Sequence, residues 1–300
     1  MISFNIIGSI LKDSYIELRK SDPLRLAAAT AFFTTFALPA ILIIMIQFLG
    51  LIYNPETFSD ELFERLRVIL GFDSAKQIKE VLEGFQQQAD NWYITAGGFL
   101  FLMFVATTLF KVVKDSINQL WEIKLEHRAR FGKRMRQRAK AMAVIVFAGI
   151  LFLTSLLSDA FIAILSDLIK DYWPIITGAI IQIVRQLVAI AIVTVWFAVV
   201  FKFLPDARTP WNTAFAGAFF TAVLFTAGKF LLGLLLSGSN IGSIYGASGS
   251  IVLILLFVFY SSFILYYGAT FTKQWGKYIK NELSPRDYAT FYELAEVKKE

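Results

Sequence analysis

Between Arg25 and Glu56 lie thirty consecutive residues without a charge, LAAATAFFTTFALPAILIIMIQFLGLIYNP. About 20 apolar residues suffice to cross the hydrocarbon core of a bilayer, so this run is long enough to span one. With no water in the bilayer core, a spanning segment must satisfy its own backbone hydrogen bonds, which makes it a helix. Pro39 removes one of those donors, so the predicted helix bends or tilts there. The run is expected to remain as a span, not a cleaved leader, because Lys12, Asp13, Glu17, Arg19, Lys20, Asp22 and Arg25 precede it.

Four further stretches carry the same signal. One runs uncharged from Asn91 to Phe110, and another covers Ala141 to Ser158 with an apolar continuation past Asp159 to Leu165. Tyr172 to Phe201 is apolar apart from Arg185, and one span is favoured because division there would leave pieces of 13 and 16 residues. From Thr209 to Phe271 the one charge is Lys229, and the polar LSGSNIGS at Leu236 to Ser243 divides this stretch into two spans. The reading is an all-α integral membrane protein of six transmembrane helices, at about 26–53, 92–113, 141–165, 173–203, 210–236 and 244–272. They form one membrane domain over 26–272, with an amphipathic segment at 1–25 and a tail at 273–300. A hydrophobic share of 57% against 17% charged residues is more apolar than a soluble core of this length requires.

Orientation follows from Lys and Arg. Ten of them lie between Lys111 and Lys140 and six between Lys273 and Glu300, whereas Lys170 alone lies in the connection after the third span. Short loops rich in Lys and Arg stay in the cytoplasm, which predicts both termini inside, together with the basic loop 114–140 and the PDAR turn at Pro205 to Arg208. The connection 54–91 then lies outside. Its apolar residues recur at helical spacing, Phe58, Leu62, Leu66 and Ile69 and then Ile78, Val81, Leu82 and Phe85, which predicts an extracytoplasmic amphipathic helical hairpin. It serves either as a packed cap on the outer mouth or as a moving lid.

With no cysteine and a single histidine, His127 in the basic loop, thiolate metal sites and histidine ligand sets are excluded, and neither a metal nor a cofactor is expected. No G-x-x-x-x-G-K-[ST] motif is present, so this chain has no P-loop for ATP. The RARFGKRMRQRAK run at Arg128 to Lys140 is read as a topology signal and a contact for anionic lipid head groups, not as a nucleic-acid site. A homo-oligomer is compatible with the sequence.

Three charges fall inside predicted spans: Asp159, Arg185 and Lys229. Intramembrane charges are costly and mark either a bundle interior or a watery path. At about 1.5 Å of rise per residue they lie roughly 26–28 Å from the cytoplasmic ends of their helices, in one layer. Two readings stay open. In one, Asp159 and Arg185 form a structural ion pair while Lys229 snorkels outward; in the other, Arg185, Lys229 and Asp159, with Gln182 one turn away, form a net positive site for an anion. Gly242, Gly246 and Ser250 recur every fourth residue, and with Gly249 they make a small-residue opening to the sixth span. That opening packs against a neighbouring helix or, like the Pro39 bend, gates a path.

The stretch FLPDARTPWNTAFAGAFFTAVLF, then GKFLLGLLLS and IYGASGSIVLILLFVFYSSFILYYGATFT, resembles the YihY/BrkB family of bacterial inner-membrane proteins. DPLRLAAATAFFTTFALPAIL and INQLWEI extend the resemblance over nearly the whole chain, with one departure at Ala37 and Leu38 before Pro39. The resemblance implies a multi-pass protein of the bacterial inner membrane with no settled activity. A ribonuclease label once attached to such proteins fails here on chemistry, because no carboxylate or histidine cluster of metal-binding spacing occurs. No catalytic residue is assigned. The expected function is movement or binding of an anionic, amphipathic or lipid-like solute without covalent chemistry, and the alternative is a non-transporting scaffold or envelope-assembly factor.

Overall fold

The computed structural model describes residues 4–49, 55–87, 92–125, 131–170, 174–237 and 249–292. Nine helices are described, α1 (Phe4–Lys20), α2 (Pro23–Leu49), α3 (Pro55–Leu70), α4 (Phe72–Gln87), α5 (Trp92–Leu120), α6 (Phe131–Lys170), α7 (Pro174–Phe203), α8 (Trp211–Ser237) and α9 (Gly249–Tyr278). Proline at the first position of α2, α3 and α7 suits a helix start, where its missing N–H has no intrahelical partner to lose. Asp22, at φ 52°, breaks α1 from α2, and Gly71, at φ 87°, turns α3 into α4, so the amphipathic hairpin forms where its periodicity places it.

The chain is an integral membrane protein. Among the described residues five helical segments are long and apolar enough to cross a bilayer: Pro23–Ile46, Met142–Ile164, Ile180–Phe203, Trp211–Gly233 and Ile251–Tyr278. Leu157, Ile183, Phe219 and Phe230 stand exposed on these segments, an apolar perimeter that lipid, unlike water, solvates without penalty. Pro39 stands inside α2, with helix on both sides.

Several charged residues taken as span ends lie inside longer helices. α5 continues past 113 to Leu120, because Ile117 and Leu120 are buried and Lys114 finds a carboxylate partner. The segment expected as a loop over 114–140 is therefore helical over 114–120 and from Phe131 onward. α9 likewise passes Lys273, whose amine donates to Glu17 and, at 2.9 Å, to Glu122. The tail then pairs in two short antiparallel ribbons absent from the all-helical expectation. β1 (Ile123–Leu125) lies on β4 (Ala289–Phe291), and β2 (Ala207–Arg208) on β3 (Ser284–Pro285). One end of the bundle, the base, thus gathers α1, the end of α5, the α7–α8 turn and the tail. The hairpin packs elsewhere: Leu62, Phe63, Ile78 and Leu82 bury against the second half of α2 and the first half of α9.

α8 and α9 meet through a stepped set of small residues. Thr213 faces Gly276, Gly217 faces Thr272, and Thr221 faces Gly268; further along, Gly228 lies under Tyr260, whose hydroxyl donates to the Leu224 carbonyl at 3.1 Å. Steps of four on one helix answer steps of four on the other, the close approach that small residues permit in lipid. This is a different small-residue face from the one expected. Gly242 and Gly246 lie outside the described residues, Gly249 is buried at the start of α9, and Ser250 follows it in the same helix.

A Cβ at Gly217 would overlap the Thr272 side chain and meet its Cα at 3.2 Å, so the helices must part to admit it. Overpacking costs about 1–3 kcal/mol, more than the roughly 1 kcal/mol of helix propensity that alanine gains over glycine. Gly217→Ala is expected to lower the thermal unfolding midpoint, whereas Gly233→Ala, with nothing within 4 Å, leaves it unchanged or raises it. Equal midpoints for the two variants would remove the zipper from the account.

Candidate functional site

Two polar centres stand out among the described residues, one buried and one partly exposed, and they differ in whether their groups are satisfied. The first is at the base. Asp206, 2% exposed, accepts at one oxygen from Lys114 Nζ at 3.0 Å and Asn118 Nδ2 at 2.9 Å, and at the other from the Tyr288 hydroxyl at 3.2 Å. Its own N–H donates to Asn118 Oδ1 at 2.9 Å, and its carbonyl accepts from the Arg286 N–H at 3.1 Å. Trp121, fully buried nearby, donates its indole N–H to the Ala269 carbonyl at 2.8 Å. Such a network closes on itself and holds segments together.

The second centre opens onto a cavity of about 650 Å³, within the size range of small-molecule sites. Seven helices line it: α2, α3, α5, α6, α7, α8 and α9. On α7 the lining runs from Ala189 to Val200, about 16 Å of helix, with Leu204 just past its end, so the cavity is elongated along the bundle. Its walls are mainly aliphatic and aromatic, among them Ile145, Val193, Trp196, Phe197 and Phe225. Hydroxyls of Thr30, Thr34, Ser155, Ser261 and Ser262 punctuate them. Several of these are spent on their own helices, as with Thr34 to the Thr30 carbonyl at 2.7 Å and Ser261 to the Phe257 carbonyl at 2.7 Å. Among the described residues two cations line the cavity, Lys229 on α8 and Arg65 on the hairpin helix α3. Lys229 lies eighteen residues, about 27 Å, from the base end of α8, so the positive charge sits at the hairpin end and the apolar body runs toward the base.

Of the residues singled out from sequence that the structure describes, Lys229 alone lines this cavity. Asp159 and Arg185 do meet, with Arg185 Nε 3.9 Å from Asp159 Oδ1, but the stronger partner of Asp159 is Arg65, whose Nη2 donates to Asp159 Oδ2. Arg185 is more than half exposed, and Gln182 is exposed on the same helix. No described carboxylate pairs with Lys229. Arg65 went unrecognised because it sits in the amphipathic hairpin among acidic residues, where an arginine reads as solvated; Pro39 lies between the lining residues Thr34 and Ile41. His127 lies outside the described residues, and among those described no group of three His, Asp or Glu side chains is placed to hold a metal.

Comparison with known proteins gives a consistent picture. The family model described as "Virulence factor BrkB" matches residues 15–288. A UPF0761 membrane protein of Pseudomonas paraeruginosa (strain DSM 24068 / PA7) is 27% identical over 251 residues, 81% of this chain and 57% of the relative. A UPF0761 membrane protein of Pseudomonas aeruginosa (strain LESB58) matches with the same identity and coverage. The UPF0761 membrane protein YihY of Salmonella newport (strain SL254) is 28% identical over 205 residues, 67% of each chain. The aligned part of this chain thus spans little more than half the length of the Pseudomonas relatives. No solved structure matches.

The base centre predicts a stability effect. Asp206→Asn leaves Lys114, 6% exposed, without its buried counter-charge, and breaking such a pair typically costs about 3–5 kcal/mol. Thermal unfolding of the purified protein should fall accordingly, and Lys114→Met in the same molecule should restore part of the loss. An unchanged midpoint in Asp206→Asn would show that the network does not hold the base together.

Proposed function

The chain belongs to the BrkB family of membrane proteins, and on that premise we propose that it binds or moves an anionic, amphipathic solute through its central cavity, without covalent chemistry. The observation that carries this reading is the polarity of the cavity: an elongated apolar body with Lys229 and Arg65 at one end. A small water-soluble anion gains nothing from the apolar length, and a neutral lipid gains nothing from the cations. An amphiphile uses both, its chain replacing water against the apolar walls and its head group compensating the charge. Six spans, with α5 as the second, and both termini in the cytoplasm belong to the same proposal. Their support is that the segments assigned inward by Lys and Arg count, α1, the end of α5, the PDAR turn and the tail, pack together at the base. The bacterial inner membrane is then its location, with the basic start of α6 against anionic head groups.

A scaffold is the second reading, favoured by the double pairing of Asp159, since two arginines from α3 and α7 on one carboxylate would fasten the hairpin to the bundle.

Lys229 separates the two. With the purified protein and a fluorescent single-chain anionic phospholipid, Lys229→Met is expected to weaken binding on the order of tenfold, and Lys229→Arg to retain part of it because the charge survives in another geometry. A zwitterionic analogue should respond to neither change. Full affinity in Lys229→Met would favour the scaffold. Reporter fusions near Asp73 and Glu126 should fall on opposite sides of the membrane, and a shared side would break the orientation.

A further inference from the structure

Arg65 occupies a position that neither the spans nor the ion pair alone explains. Its side chain lines the cavity, yet it also donates Nη2 to Asp159 Oδ2. Asp159 does not line the cavity, so Arg65 stands between the cavity and a carboxylate behind it. A guanidinium offers five donors in a planar fork, and the bond to Asp159 uses Nη2 alone. The remaining donors are enough for a bidentate contact to a second anion. Arg185 Nε lies 3.9 Å from the other carboxylate oxygen of Asp159. Asp159 thus keeps a cation partner when Arg65 turns away from it.

The charge balance narrows the ligand. Within the cluster of Arg65, Arg185, Lys229 and Asp159, three cations face one carboxylate, a local excess of two positive charges beside a hairpin that is otherwise acidic. A carboxylate head group would leave one uncompensated; a phosphate monoester carries about −1.5 to −2 at pH 7 and offers three acceptor oxygens.

We propose that Arg65 and Lys229 together bind the phosphate monoester head group of an amphiphile, and that Asp159 is the internal counter-ion that holds Arg65 when the site is empty and competes with the incoming phosphate for it. This rests on the reading of the cavity as a site for an anionic amphiphile and adds the head group, the hairpin residue and the exchange. Binding transfers Arg65 from Asp159 to the phosphate while Asp159 shifts to Arg185. No covalent bond changes. Because Arg65 belongs to α3, the same exchange loosens the one described ion pair between the hairpin and α6.

The test is titration of the full chain in detergent with four probes: lysophosphatidic acid, a fatty acid of equal chain length, lysophosphatidylcholine and inorganic phosphate. Lysophosphatidic acid should bind at least tenfold more tightly than each of the others. Arg65→Gln should weaken it about tenfold or more, with Arg65→Lys between that variant and the wild type and serving as a folded control. Asp159→Asn should tighten it several-fold, because Arg65 loses its competitor, and this gain should vanish when Arg65→Gln is added. If the wild type binds none of the anionic amphiphiles, the cavity reading falls and takes this proposal with it. If it binds them but Arg65→Gln is silent, Asp159→Asn weakens binding or leaves it unchanged, or the gain persists without Arg65, the exchange alone is overturned. Equal affinity for the fatty acid overturns the phosphate assignment, and tight binding of inorganic phosphate shows that the apolar body contributes nothing.

Discussion

A carboxylate buried where water does not reach must be compensated by protein groups, and at Asp206 this compensation organises the base of the molecule. Lys114 and Asn118 come from α5, Asp206 from the α7–α8 turn and Tyr288 from the tail, so one side chain fixes three segments far apart in sequence. Lys273 forms a second node with Glu17 of α1 and Glu122 beyond α5, and brings in α9. With these ends tied, α8 and α9 lie close enough for Gly217, Thr221, Gly268 and Thr272 to interlock. The same geometry sets the walls of the cavity, because α5, α7, α8 and α9 all contribute to them.

The two ends of the molecule treat charge in opposite ways. At the base each buried ion has its partner within ordinary hydrogen-bond distance and the network is closed, which suits a fixed joint. At the hairpin end Arg65 and Arg185 share the one carboxylate of Asp159, and Lys229, with no described carboxylate partner, lines the cavity. Lys229 and Arg185 are exposed, so the physical ground for proposing a ligand there is that Arg65 and Lys229 both line the cavity while no described carboxylate pairs with Lys229.

Long apolar runs made most of the helical layout legible, and the hairpin periodicity was readable as well. Charges misled at helix ends: Lys111 and Lys273 look like span boundaries, yet α5 and α9 run past them because Lys114 and Lys273 are paired in three dimensions. The ribbons of two or three residues carry no sequence period and depend on the base network. The Thr213, Gly217, Thr221 spacing and its counterpart Gly268, Thr272, Gly276 lie in the sequence, but threonine alternates with glycine there, so neither helix carries a glycine repeat that marks the face. Of the motifs that carry the family resemblance, LPDAR and INQLWEI lie at the base, the GK pair places Lys229 at the cavity, and YGASGS falls mostly outside the described residues. Lys229 was legible as a charge in a span; Arg65, in an amphipathic helix outside the spans, was not.

The central claim is that the cavity holds an anionic amphiphile with its head at the hairpin end. Native mass spectrometry of the protein purified from its own membrane with minimal delipidation addresses this most directly, with Lys229→Met measured in parallel. The account predicts a bound anionic amphiphile enriched over its share of the membrane and depleted in the variant. Identical adducts in both proteins, in the proportions of the bulk membrane, would contradict it.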